Sequence, residues 1–338
     1  GRHEGRLRLR QRSEAVGTVE YLIGKNDVRR NMLMFLKKTN IDFLGKRHTF
    51  YILSVIMVLI GMIALVQISR GKGNLGIDFA GGAAVQLKFD QPIRIDEARK
   101  ALAEGGLPGT ELQEVVLDNK LLIRVKRQDI VEKNIRGQIE AIFSKAFSGN
   151  QFVVESSTEI GPTIGKKLRE DALWAIGISL IGIITYIAVR FEFQFGVAAA
   201  IAAFHDVFVV LGTFFILNKE ITLLVVTALL TIAGYSINDT VVIFDRIREN
   251  LKTRKKGSFE QTANRSINDN LSRTLITSVT TFLAVAALYL LGGEVIHDFA
   301  LAIIIGIVIG TYSSWFIASS LLVSWKQNRG ETRVLKRA

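Results

Sequence analysis

The sequence predicts an α-helical multi-pass membrane protein with one α/β domain inserted between its first and second helices. Three observations predict it. Six apolar runs, at about 50–69, 172–189, 196–217, 221–244, 272–291 and 299–325, are each long enough to span a hydrocarbon layer of roughly 30 Å. Charged residues, 22% of the chain, crowd between those runs. The long polar stretch after the first run carries strand and helix patterns in a definite order.

Residues 1–49 form a basic segment with twelve Lys/Arg and five Asp/Glu, net +7. That leader is too long, and the run behind it too extended, for a cleavable signal peptide, so 50–69 is read as the first membrane helix. Residues 70–171 are read as the external domain with its linkers, sixteen basic against fifteen acidic residues, net +1. Within it Ala83–Phe89 reads as a strand, and Ile95–Glu104 as a helix with Asp96 and Glu97 in its first turn. Glu111–Leu117 and Leu121–Lys126 read as strands joined by a turn at Asp118–Asn119. Asp129–Phe147 has helical spacing, with Ile130, Ile135, Ile139, Ile142 and Phe143 on one stripe, and Gln151–Glu155 begins a last strand. The order βαββαβ is that of a ferredoxin-like split sheet, a fold that assigns no function by itself.

Residues 172–325 hold the other five helices, with a basic loop at 245–271, and 326–338 form a basic tail. Segments 245–273 (eight basic, four acidic) and 326–338 (five basic, one acidic) are each net +4, whereas the hairpins 218–220 and 292–298 carry zero and −2. This alternation fits an even number of spans with both termini in the cytoplasm. The high isoelectric point of 9.9 follows from that asymmetry. Without aromatic interleaving or a binding fold, the basic runs predict no nucleic-acid partner.

Several chemistries are excluded. The chain has no Cys, hence no disulfide or thiolate metal site, and its four His show no HExxH spacing, so no metal or cofactor is expected. Gly71, Gly73 and Gly76 match G-x-G-x-x-G, but a membrane helix precedes them and an extended segment is expected to follow, which is the wrong setting for a dinucleotide. No Walker A motif exists for ATP. His205 and Asp206, adjacent on one helix, should diverge by about 100°, poor geometry for a catalytic pair. No enzyme activity is expected.

The polar residues inside the runs carry the functional reading. The fourth run contains Gly234-Tyr235-Ser236-Ile237-Asn238-Asp239-Thr240. An ionised Asp at depth costs several kcal/mol, so it needs a partner, a proton or water. Asp239 lies six residues in from Asp245, about 9 Å along a helix. Arg273 opens the fifth run, with Thr277 and Thr281 at i+4 and i+8. The expectation is that Asp239 and Arg273 face each other inside the bundle, and that protonating Asp239 loosens the pair. The competing reading has Arg273 reaching lipid headgroups while Asp239 is a static hydrogen-bonding group. Asp206 is a second candidate, with His205, Tyr235, Ser236, Asn238 and Thr277 as supporting polar residues. In the sixth run Ala302, Gly306, Gly310, Ser314 and Ala318 recur every four residues, a stripe that lets helix backbones approach closely and also allows sliding.

Gly76-Ile77-Asp78-Phe79-Ala80-Gly81-Gly82 resembles the G-[IL]-D-F-x-G-G signature of the SecD/SecF protein-export family. Gly161-Pro162-Thr163-Ile164-Gly165 is similar to that family's G-P-x-[IV]-G element. His205-Asp206, the stretch Gly234 to Asn250 and Arg273-Thr274-Leu275-Ile276-Thr277-Ser278 resemble its SecF branch, the likeness running from about Ile41 to Trp325. The resemblance implies half of a resistance–nodulation–division transporter, whose six helices pair with six from a SecD-like subunit beside the SecYEG channel and a YajC-like subunit. It implies that the proton-motive force drives unfolded exported polypeptides outward across the lipid bilayer, with the proton-pathway residues at Asp239 and Arg273. The turn at Gly76, Asp78, Phe79, Gly81 and Gly82 would then be the joint to the external domain. The first forty residues match no pattern of the family and the chain starts with Gly, as a processed, tagged or truncated product or the second half of a fused polypeptide would. A small-molecule or lipid exporter of the same superfamily and a passive scaffold of the channel remain as alternatives.

Overall fold

The computed structural model describes residues 39–115, 119–126, 134–253 and 258–328. The basic leader through residue 38, Asp118, the start of the predicted second domain helix with Ile130, and the end of the tail lie outside them. Among the described residues, six helices are long and apolar enough to cross a membrane. They are α1 (Arg47–Ser69), α5 (Pro162–Arg190), α6 (Phe193–Ile216), α7 (Leu223–Thr253), α8 (Phe259–Leu291) and a sixth made of three pieces: α9 (Glu294–Ser313), a π-helical turn at Ser314–Ala318 and α10 (Ser319–Asn328). Several run well past their apolar stretches. At 1.5 Å per residue α8 is about 50 Å long, more than a hydrocarbon layer needs. Its start is set by chemistry outside the lipid, a capping box in which Ser258 and Gln261 satisfy each other's backbone N–H groups. Likewise α5 opens with Pro162 at its first turn, ten residues before its apolar run.

Between α1 and α5 lies the sheet domain. A one-turn helix α2 (Ile77–Ala80) leads into β1 (Gly82–Phe89), α3 (Ile95–Glu104), β2 (Glu111–Val115), β3 (Lys120–Lys126), α4 (Ile135–Ala146) and β4 (Phe152–Ile160). The sheet order β2-β3-β1-β4, antiparallel throughout, is that of the split βαββαβ fold. Strand alternation sends Val85, Leu87, Ile123 and Val125 to one face, where they form a core with Leu102 of α3 and Ile139 and Phe143 of α4. The opposite face of β3 presents Arg124 and Lys126 toward the membrane helices.

The segment expected to be extended behind Gly76 is instead helical, and it is tied down. Gly76 N–H donates to Ile221 O at 3.0 Å, and Ile221 N–H to Asn74 O at 2.8 Å, which locks the exit of α1 onto the loop between α6 and α7. Asp78 Oδ2 accepts from Leu223 N at 2.8 Å and so caps the first turn of α7, 145 residues away. Phe79 is buried in the core shared by α6 and α7, and Gly165 packs against the backbone of Asp78, Phe79 and Gly81. The signature is therefore a clamp rather than a free joint: its hydrogen bonds and buried ring hold it at both ends. Gly81 and Gly82 take φ of +75° and +144°, and a Cβ on Gly82 would collide with Val125 O. Only glycine fits there.

Elsewhere the helices close on small residues. At the crossing of α1 and α6 a Cβ on Gly212 would lie 2.9 Å from Gly61 N, so the two backbones touch. Gly306 faces Ile232 and Gly310 faces Ser236, which brings α9 directly against α7. Ala302, Ser314 and Ala318 of the same stripe are fully buried.

Replacing Gly82 by Ala is expected to cost about 1–3 kcal/mol through backbone strain and the clash with Val125. A lower melting temperature of the full chain in detergent checks this; an unchanged one would contradict the assignment.

Candidate functional site

A helix period of 3.6 places Ser236, Asp239, Thr240 and Ile243 of α7 on one face, and all four are buried. That face meets α6 and α9. Asp206 of α6 has no exposed surface and is fully satisfied. Its Oδ2 accepts from Ser313 Oγ at 2.7 Å and from Ser236 Oγ, and its Oδ1 lies 2.8 Å from His205 Nδ1. The His205–Asp206 contact corrects the expectation that the two side chains diverge. Both fold into the same gap between helices, where a shared hydrogen bond outweighs the 100° offset of their Cα–Cβ bonds. The His205 ring lies 6.1 Å from that of Tyr312, whose hydroxyl reaches Ser54 of α1 at 3.0 Å and Phe50 O at 3.1 Å. Thr240 pairs with Ser314 at 2.9 Å, and Ser278 of α8 with Thr311 at 2.8 Å. The result is a polar seam joining α1, α6, α7, α8 and the sixth span.

The seam coincides with the π-helical turn at Ser314–Ala318, where Ser319 Oγ bonds back to Ser314 O at 2.9 Å. Such turns widen a helix by one residue and recur at functional positions.

Asp239 behaves differently from Asp206. It is buried, 5% exposed, yet its Oδ2 has no hydrogen-bond partner among the described residues. Thr274 Oγ1 and Tyr235 Oη are buried and unpartnered as well. Arg273 is near enough for its charge to act on Asp239, but among the described residues no ion pair of 4.0 Å or less joins them. Arg273 is exposed in the single chain, on the side of α8 away from Thr274 and Ser278. The reason is helical phase: Thr274 and Ser278 take the inward face of α8, leaving Arg273 and Thr277 outward. Thr277 accordingly bonds only to carbonyls of its own helix. On α7 the exposed positions Thr227, Thr231, Gly234 and Asn238 form a second outward stripe of small and polar residues.

Sequence reasoning missed Ser313, Tyr312 and Ser54. The Ser313-Ser314 doublet inside an apolar run was the available signal. At the end of the span, Asp245 pairs with Arg190 of α5.

The comparisons with known proteins follow this geometry. The family model for the C-terminal part of the protein export membrane proteins SecD/SecF matches residues 138–328, and the SecD/SecF GG motif matches residues 74–93. This chain belongs to the SecD/SecF family. Protein translocase subunit SecF of Thermodesulfovibrio yellowstonii is 49% identical over 299 residues, covering 88% of this chain and 98% of its own. Protein translocase subunit SecF of Calditerrivibrio nitroreducens is 40% identical over 295 residues, covering 86% and 96%. A crystal structure of SecDF, a translocon-associated membrane protein from Thermus thermophilus, superimposes with a TM-score of 0.74 at 38% identity over 87% of this chain. The chain spans 40% of the length of that SecDF. The matched GG motif covers the clamp residues Gly76, Asp78 and Phe79 together with the Gly81–Gly82 pair that follows them.

Ser313→Ala removes one of the donors to Asp206 and is expected to destabilise the chain by about 1–3 kcal/mol. Thr277→Val, on the outward face, should be close to neutral. Thermal unfolding of both variants in detergent separates the two positions.

Proposed function

We propose that the chain is the SecF-type auxiliary subunit of the Sec translocase in the bacterial inner membrane, and that it converts proton movement through Asp239 into motion of its sheet domain. The observation carrying this reading is the contrast between two buried carboxylates. Asp206 is enclosed by donors and acts as a fixed fastener, whereas Asp239 keeps an open oxygen beside the outward-facing Arg273. A carboxylate in that position needs a proton or a cation, and alternating between them is a switch.

The outward stripes of α7 and α8 support a second six-helix half as the occupant of that surface. Small and polar residues suit close helix docking, and an exposed Arg273 is costly against lipid alone. A SecD-like subunit fits, as the fused SecDF relative implies. The SecYEG channel, a YajC-like subunit and unfolded exported chains are the further partners of this reading. The sheet domain then lies outside the cytoplasm and both termini within it.

The mechanical route follows the backbone. Asp239 is sixteen residues along α7 from Leu223, about 24 Å. Leu223 is the residue that Asp78 caps. A displacement of α7 on protonation therefore pulls on the clamp and on the domain beyond it. One charge crossing 100 mV supplies about 2.3 kcal/mol, enough to bias two arrangements by more than tenfold.

Asp239→Asn is expected to abolish proton conduction and to lower proton-dependent export at least tenfold, with the chain still assembled at normal levels. Export and conduction measured in membrane vesicles decide the matter: near-normal values would favour a passive scaffold.

A further inference from the structure

The junction between the sheet domain and the membrane helices holds charges that the seam does not use. Glu220, in the loop 217–222 between α6 and α7, is only 6% exposed. Arg124 Nε lies 3.5 Å from its Oε2, and Lys126 Nζ lies 3.6 Å from its Oε1. Glu111 of β2, the cross-strand neighbour of Arg124, pairs with Lys126 at 2.8 Å, so that one ammonium is shared between Glu111 and Glu220. Asn74, in the linker behind α1, takes another hydrogen bond from Lys126 at 2.6 Å. Lys219 on the same loop is engaged by Asp298 of α9 at 2.9 Å. Arg99 of α3 and Asp298 complete the charged lining of the shared cavity of about 460 Å³.

Glu220 is the least well served member of this group. The nearest contacts of its cations go to other acceptors: Lys126 to Asn74 and Glu111, and Arg124 to Gln113 at 3.0 Å. Its Oε1 receives no hydrogen bond among the described residues. A buried carboxyl that shares its cation with a second carboxyl favours holding a proton. Burial, and after it the hydrogen bond with Glu111, pushes Glu220 up to about 7. Burial also acts to raise Glu111, but its bonds with Glu220 and Lys126 outweigh this and hold it below the usual carboxylate range.

We propose that Glu220 and Glu111 form a second proton site, outside the membrane, whose occupancy fastens the sheet domain to the α6–α7 loop. Its sign follows from linkage. A carboxyl that binds its proton more tightly when docked than when free makes proton uptake favour docking. Docking is strongest at acid pH, weakens as pH rises from the ordinary Glu value of 4.5 through about 7, and levels off above that. The opposite shift of Glu111 acts only below its ordinary value of 4.5, outside this window. The acidic side of an energised membrane thus holds the domain down, and loss of the proton frees it. This site does not depend on Asp239, so either can fail without the other.

The absence of Cys from the chain makes the test direct. Nitroxide labels at Ser144→Cys on α4 and Val295→Cys on α9, both exposed, report the position of the domain in the full chain in lipid nanodiscs. The docked-to-undocked ratio is expected to fall roughly tenfold or more between about pH 5 and about pH 8. Glu220→Gln should hold the domain docked at both, whereas Asp239→Asn should leave the titration midpoint of Glu220 near 7. In parallel, an infrared carboxyl band should titrate near 7 in the wild type, vanish in Glu220→Gln and move to lower pH in Glu111→Gln. A distance distribution that is the same at both pH values, a band that survives Glu220→Gln, or a midpoint unmoved in Glu111→Gln would overturn the proposal. The Glu111→Gln shift stands as the deciding result if Glu220→Gln does not fold.

Discussion

A carboxylate surrounded by hydrocarbon must be given donors, a counter-charge or a proton, and the helix bundle meets that requirement with donors at one acid and not at another. Asp206 receives donors from its own helix, from Ser236 of α7 and from Ser313 of α9. Those bonds fix where three helices cross, and the small residues Gly306 and Gly310 exist beside them because bonds of that length need backbones in near contact. Asp239, one turn further along α7, is denied the same provision. One seam thus holds a satisfied and an unsatisfied acid on neighbouring faces.

The domain outside the lipid is bound to this seam by polar contacts rather than by a large apolar interface. Asp78 on the start of α7, the backbone pairing around Leu75 and Ile221, and the charges about Glu220 all converge on a single short loop. Contacts of this kind are directional and responsive to protons, and exposed charges among them are weakened by salt. An apolar interface of the same extent would have neither property.

Much of this architecture could be read from the sequence because it depends on local pattern. Apolar runs give the six spans, and alternation with turn residues gives the split sheet, since burial on one face imposes the period of two. The cost of Asp239 in hydrocarbon singles it out without any structure. What was hidden depends on residues distant in the chain. Asp78 is 145 residues from the backbone it caps, and Ser313 is 107 from the carboxylate it serves. Arg273 is hard to place from sequence because a helix has two faces, and only packing decides which of them a neighbour covers. Glu220 looks like any charged residue of a short hairpin until the sheet closes over it.

The touching backbones of Gly61 and Gly212 bear on how the molecule moves. They weld α1 to α6, while the clamp at Asp78 belongs to α7. The sheet domain is thus anchored at three places: the exit of α1, the start of α7 and the head of α5. Under the proposed coupling, slippage between α6 and α7 would shift these anchors against one another, so that a small axial step at the membrane would become a tilt of everything above it.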